Sequence, residues 1–252
     1  MTSRGPDQPA RQRALNIPVV IFVLVGLFVA IEIAMDRLSL RDQAWAIVNF
    51  AFIPNRDGLV LPPTIEVLPG AAIWSVITYA FLHGGWAHLA VNSITLVSFG
   101  SPLAWRFGTL RFLVFSAAAA AAGAGAHYLG ASGDATWMVG ASAAISGHMA
   151  ASARFMFLRP VPALGYFGPA APLSRVLTDR RTLTFLIAWF GVNIVVGLSG
   201  MGGPAGEANI AWQSHIGGFV AGLVLFPLLD PVGRRLRPAP PDPGTEDPRP
   251  RP

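Results

Sequence analysis

The chain has no cysteine, which excludes disulfides and thiolate-held metal. It has no lysine either, so all 18 of its basic residues are arginine. Charged residues occupy only 12% of its 252 positions, about half the share found in soluble domains. A formal charge of +5 on so apolar a chain bears on membrane topology before it points to nucleic acid, and no nucleic-acid partner is expected. No internal repeat is visible, and the apolar runs hold no paired carboxylates. Both absences argue against a transporter. No small-x-small cleavage site follows the first apolar run, 17–35, so it reads as a retained helix and not as a signal peptide.

What is present is hydrocarbon. Hydrophobic residues make up 53% of the chain, and several runs are long enough to cross roughly 30 Å of lipid as helix. The expected class is an all-α integral membrane protein in contact with the lipid bilayer. Six spans are expected, at 17–35, 87–105, 110–130, 138–158, 182–199 and 212–229, within a membrane domain of 17–231. Residues 1–16 and 232–252 are rich in Pro, Arg and Asp; they cannot bury a core and are expected to be disordered tails.

The arginines orient the spans. Arg4, Arg11 and Arg13 precede the first, Arg106 and Arg111 separate the second from the third, and Arg159, Arg175, Arg180 and Arg181 separate the fourth from the fifth. Arg234, Arg235 and Arg237 follow the sixth, whereas 131–137 and 200–211 carry only Asp134 and Glu207. The positive-inside rule then makes both termini cytoplasmic and the connections at 36–86, 131–137 and 200–211 external. The pattern fits a bacterial inner membrane and leaves an organelle membrane open. Within 36–86, the apolar piece 71–82 is too short to span and reads as a partly embedded element. Glu32, at the outer end of the first span, is expected to snorkel or pair with Arg37.

This topology brings polar residues from three helices to one depth. Span two opens outside on "HGGWAHLAVN", span four on "GASAAISGH" and span six on "WQSHIGGFVAG". His88 and Asn92 share a helix face, as do Ser142 and Ser146, and His215, Gly218 and Gly222. The Gly-x-x-x-Gly spacing lets a neighbouring helix approach closely. From these parts a hydrolase can be assembled, with Ser142 as nucleophile, His215 as base and then acid, and His88 and Asn92 as oxyanion donors. No Asp or Glu occurs in spans two, four and six before Asp230, which favours a dyad over a triad. The bland alternatives are a packing serine bonded to its own helix and a histidine and an asparagine serving as interhelix glue. A metal site at His88 and His215 would need a third ligand, for which only His83 is nearby, so none is expected. His83, His127 and His148 are read as structural.

Gly140-Ala141-Ser142, His88-x-x-x-Asn92 and His215-x-Gly-Gly with Gly222 resemble the rhomboid family of intramembrane serine proteases, over residues 17–230. The resemblance implies a six-transmembrane-helix bundle with a partly embedded loop between helices 1 and 2. It implies a Ser142/His215 catalytic dyad without cofactor, His88 and Asn92 lining the oxyanion site, and transmembrane proteins as substrates. Phe185 and Trp189 resemble the aromatic residues of the family's lateral substrate gate. The oligomeric state is left open. Three positions depart from the family pattern. Ala143 replaces a glycine and is expected to tighten the oxyanion pocket; Ser75 replaces the arginine of a Trp-Arg pair and is expected to loosen the embedded loop; Ser146 replaces a tyrosine. The Gly-rich connection 200–211 is expected to act as a mobile cap. The alternative is a non-catalytic relative that binds transmembrane helices.

Overall fold

The computed structural model describes residues 17–130, 136–157, 166–199 and 211–232. The expected tails apart from Val232, the cap at 200–211 apart from Ala211, and Asp134 and Glu207 lie outside these residues. Among those described, the secondary structure is helical, with one isolated antiparallel bridge between Phe52 and Met138.

Helix α1 (Val19–Arg37) follows Pro18 and is apolar except near its C-terminal end. A short helix, α2 (Leu40–Phe50), opens on Ser39, whose hydroxyl oxygen accepts the Asp42 N–H at 3.2 Å. This cap satisfies one of the amides that a helix start leaves free. The apolar piece of the first connection forms α3 (Ala71–Thr78) and a 3₁₀ turn (Tyr79–Phe81).

The second expected span is not one regular helix. It runs as α4 (Trp86–Thr95), a π turn (Leu96–Gly100) and α5 (Ser101–Phe107). Pro102 lies just beyond the π turn. A proline inside a helix has no N–H for the preceding turn, and its ring crowds the carbonyl four residues back. The widened turn is where the helix absorbs both effects. Gly108, at φ +75°, then reverses the chain into α6 (Thr109–Gly130).

The fourth expected span also starts later than its hydropathy indicates. Residues 138–141 are extended or turn, and α7 (Ser142–Ser152) begins at the serine itself before a π turn (Ala153–Phe157). Helices α8 (Leu173–Val176), α9 (Arg180–Ser199) and α10 (Trp212–Leu229) complete the described chain. By length and composition, α1, α6 and α10 are suited to cross a membrane.

Helices α6, α7 and α10 form the tightest contact. A side chain on Gly218 would overlap the Ala143 carbonyl, one on Gly222 the Gly147 carbonyl, and one on Gly217 would reach the Ala122 carbonyl at 2.6 Å. Only glycine lets these backbones meet at that range. At the other end, Phe107, Phe155 and Phe226 stack around Arg106. The Arg106 guanidinium donates to both carboxylate oxygens of Asp230 at 2.8 Å. It also donates to the carbonyls of Tyr166 and Gly168, so one buried cation ties α5 to the end of α10 and to the chain before α8.

Two expectations, for Glu32 and for Ser75, concern the C-terminal end of α1 and the connection that follows it. Glu32 is buried, and among the described residues no ion pair joins it to Arg37. Five residues apart, the two sit on different faces of the helix. Ser75, expected to loosen the connection between α1 and α4, has a hydrogen-bond partner there. The Arg56 guanidinium reaches it, donating to Ser75 Oγ at 3.2 Å and to the Ala51 carbonyl at 2.9 Å. Trp74 donates its indole N–H to the Asn49 carbonyl at 2.8 Å, and Thr78 its hydroxyl to the Phe50 carbonyl. A guanidinium is present at this place, supplied by a residue 19 positions upstream.

Candidate active site

Ser142 is the first residue of α7, and Gly140, two positions earlier, takes φ +109°. That backbone region is open to glycine and closed to most other residues. The sharp turn is held from below: the Gly140 N–H donates to the Tyr79 carbonyl at 3.0 Å, and Met138 bridges to Phe52. Tyr79 is buried and donates its hydroxyl to the Ala120 carbonyl of α6 at 2.8 Å. The 3₁₀ turn after α3 thus anchors the turn that presents Ser142. Nothing in the sequence marks Tyr79 for this role, because its partners are backbone atoms 41 and 61 residues away.

The Ser142 side chain does not bond to its own helix. Its Oγ lies 2.8 Å from His215 Nε2 on α10. Ser146, one turn later, does show the ordinary behaviour of a serine in an apolar helix: its hydroxyl donates to the Ser142 carbonyl at 2.9 Å. The two serines share a face and differ in what that face offers them. His215 is buried, Ser142 is half-buried, and His215 Nδ1 has no hydrogen-bond partner among the described residues.

His88 and Asn92 converge on the same turn from α4. A Cβ on Gly140 would sit 2.7 Å from His88 Nε2 and 3.7 Å from Asn92 Nδ2. The Gly84 N–H donates to His88 Nδ1 at 3.3 Å. In a neutral imidazole this leaves the proton on Nε2, the nitrogen that faces Gly140. Asn92 uses one amide proton on the His88 carbonyl at 3.0 Å and keeps a second. As the first residue of a helix, Ser142 has a backbone N–H with no acceptor inside that helix. His88 Nε2 and Asn92 Nδ2 thus lie beside Gly140, two positions before Ser142.

Ala143 does not narrow this space. Its methyl is directed at Gly123 of α6, where a side chain would overlap it. The other histidines are packed. His148 is fully buried, stacked on Phe112 at 4.8 Å and within 2.8 Å of Ser116 Oγ. His127 packs beside Phe52, and His83 between Phe28 and His88.

Phe185 does not join the cluster. Its ring lies 5.4 Å from Phe99 and 5.2 Å from Phe157. Phe157 ends the π turn that extends α7, so at 1.5 Å per residue it lies roughly 20 Å along the axis from Ser142. Trp189, one turn further along α9, packs against the main apolar cluster.

No curated protein matches the chain. The model of the rhomboid domain matches residues 70–230, a stretch that holds the α3 element, the Gly140 turn and the facing ends of α4, α7 and α10. The chain belongs to the rhomboid family, and so to a family of intramembrane proteases.

Proposed function

We propose that this chain is a serine endopeptidase that hydrolyses peptide bonds in or near the transmembrane helices of other membrane proteins, using Ser142 and His215. The observation that carries the reading is the 2.8 Å contact between Ser142 Oγ and His215 Nε2, made across two helices, with His88 and Asn92 beside Gly140, two positions before the serine. Ser142 gives its proton to His215 Nε2 as Oγ attacks the scissile carbonyl. The carbonyl oxygen becomes an oxyanion, held by His88 Nε2–H, Asn92 Nδ2–H and the Ser142 N–H. His215 returns the proton to the leaving amine. Water then attacks the acyl-serine with His215 again as base, which regenerates the serine. No cofactor takes part.

The membrane reading behind this is a six-crossing bundle. The crossings are α1, α4 with α5, α6, α7 with its π turn, α9 and α10, in a domain of 17–231 flanked by tails at 1–16 and 232–252. Arginine placement supports cytoplasmic termini and a site near the outer face of a bacterial inner membrane. A substrate helix would enter between α4–α5 and α9 and unwind at the site. The Phe99–Phe185 contact closes that entrance at its inner end, and Trp189 stands one turn nearer the outer face. In this proposal the gate role of Phe185 is to let the helices part rather than to cover the scissile bond.

Reconstituting the purified chain with a model transmembrane substrate tests the mechanism. Ser142→Ala and His215→Ala should each abolish cleavage, and a fluorophosphonate should label the parent at Ser142 but not the Ser142→Ala variant. Cleavage undiminished in either variant sinks the dyad. A protein that binds substrate helices without labelling or cleaving is a binder.

A further inference from the structure

Helix α6 carries none of the proposed reactive groups, yet Gly123 in its middle touches the chain beside Ser142 and beside His215. A Cβ at Gly123 would overlap the Ala143 methyl, and would lie 3.0 Å from the Ser214 carbonyl oxygen and 3.2 Å from Tyr79 Oη. Ala143 follows Ser142, Ser214 precedes His215, and the Tyr79 carbonyl holds Gly140. All four residues are buried. By contrast, Gly125, two positions on, faces open space.

Resting on the dyad reading, we propose that Gly123 is a positioning residue for Ser142 and His215, size-matched to Ala143. A methyl rides rigidly on its helix and has no rotamer by which to withdraw. Two carbons need about 3.5–4 Å between them, so a second methyl at position 123 must move α6 and α7 apart by something on the order of 1 Å. The same methyl presses the Ser214 carbonyl of α10. The three backbones are in contact through Gly217, Gly218 and Gly222, so neither helix can yield independently. A hydrogen bond of 2.8 Å is lost when its atoms part by such a distance, and a misplacement of 1 Å can cost about 10²-fold in rate. The extra methyl at Ala143 is therefore tolerated because α6 gives up one at Gly123. The pair holds one methyl between α6 and α7, and that count sets the spacing of these two helices; the contact with the Ser214 carbonyl belongs to position 123 alone.

The test is a double-mutant cycle in the full-length chain, reading kcat and KM on a reconstituted transmembrane substrate, fluorophosphonate labelling rate, and melting temperature in detergent. Gly123→Ala should lower kcat and labelling by about 10²-fold with KM little changed. Gly123→Ala combined with Ala143→Gly should recover most of the loss in both, the remainder being the contact with the Ser214 carbonyl. Gly125→Ala should behave as the parent. Full activity in Gly123→Ala overturns the proposal. So does a double variant as impaired as Gly123→Ala, since an effect that ignores Ala143 is not size matching. If Gly123→Ala alone fails to fold, the double variant decides: folded and active supports the pair, folded and inactive or still unfolded refutes it. Failure of the dyad reading shows separately, as cleavage that survives Ser142→Ala in the parent.

Discussion

A serine in an apolar helix has two competing acceptors, its own backbone and a partner across the interface. Ser146 takes the first and Ser142 the second. The difference lies in position, because Ser142 is the helix's first residue and the helix has no turn before it to supply an i−4 carbonyl. The same end effect leaves its N–H free. His88 is prepared in a comparable way, with Gly84 occupying Nδ1 and so assigning the proton to Nε2. On the proposed mechanism, His88→Ala and Asn92→Ala should each reduce kcat by about 10²–10³-fold, with a much smaller change in KM. Steady-state kinetics on the reconstituted substrate measure this, and a parental kcat in either variant removes that residue from the oxyanion site. Ser142, His215, His88 and Asn92 were legible in the sequence because their helical spacing and common depth can be counted. Tyr79 and Gly123 were not, because they act through backbone contacts that no residue type announces.

At the scale of elements, hydropathy located the helices and misjudged their interruptions. The second expected span bends through a π turn before Pro102, and the fourth starts four residues late because 138–141 is spent on the bridge to Phe52 and the Gly140 turn. Apolar residues suit a strand or turn buried in protein as well as they suit a helix, so composition does not separate them. The connection between α1 and α4 shows what sequence distance conceals. Ser75 suggested a loosened loop, but the guanidinium comes from Arg56, which sequence distance hides. Arg56→Ala should destabilise the loop by about 1–3 kcal/mol, the usual cost of losing hydrogen bonds from a charged donor. The expected result is a lower melting temperature in detergent and faster proteolysis within 51–70. An unchanged melting temperature and cleavage pattern would show that Arg56 does not hold the loop.

For the whole molecule, the contacts divide between two ends. One end is held by backbone proximity at Gly217, Gly218 and Gly222, and the other by the Arg106–Asp230 pair inside its aromatic stack. The pair is buried, with side-chain exposures of 0% and 5%. Removing one partner of such a pair typically costs about 3–5 kcal/mol, because the other charge is left in a low-dielectric site. Asp230→Ala should therefore lower the melting temperature markedly while leaving the Ser142–His215 contact, at the opposite end of α10, able to react. Thermal unfolding and fluorophosphonate labelling of the folded fraction check the two halves of this expectation. An unchanged melting temperature rules out the pair as a fastening of the bundle. Phe185 also becomes intelligible only at this scale. The family resemblance gave it a gate role with Trp189, and depth along the bundle sets it beside Phe99 and Phe157, far from the serine.

By itself the sequence determined the class, an all-helical chain too apolar to fold around a soluble core, and the residue types able to do the chemistry. Those follow from local quantities: run length, helical period and the scarcity of charge. Only the tertiary structure decided which groups meet. The Ser142–His215 contact spans 73 residues, and it exists because glycines on α10 let its backbone rest on that of α7. That closeness is a property of two surfaces together, and neither surface states it alone.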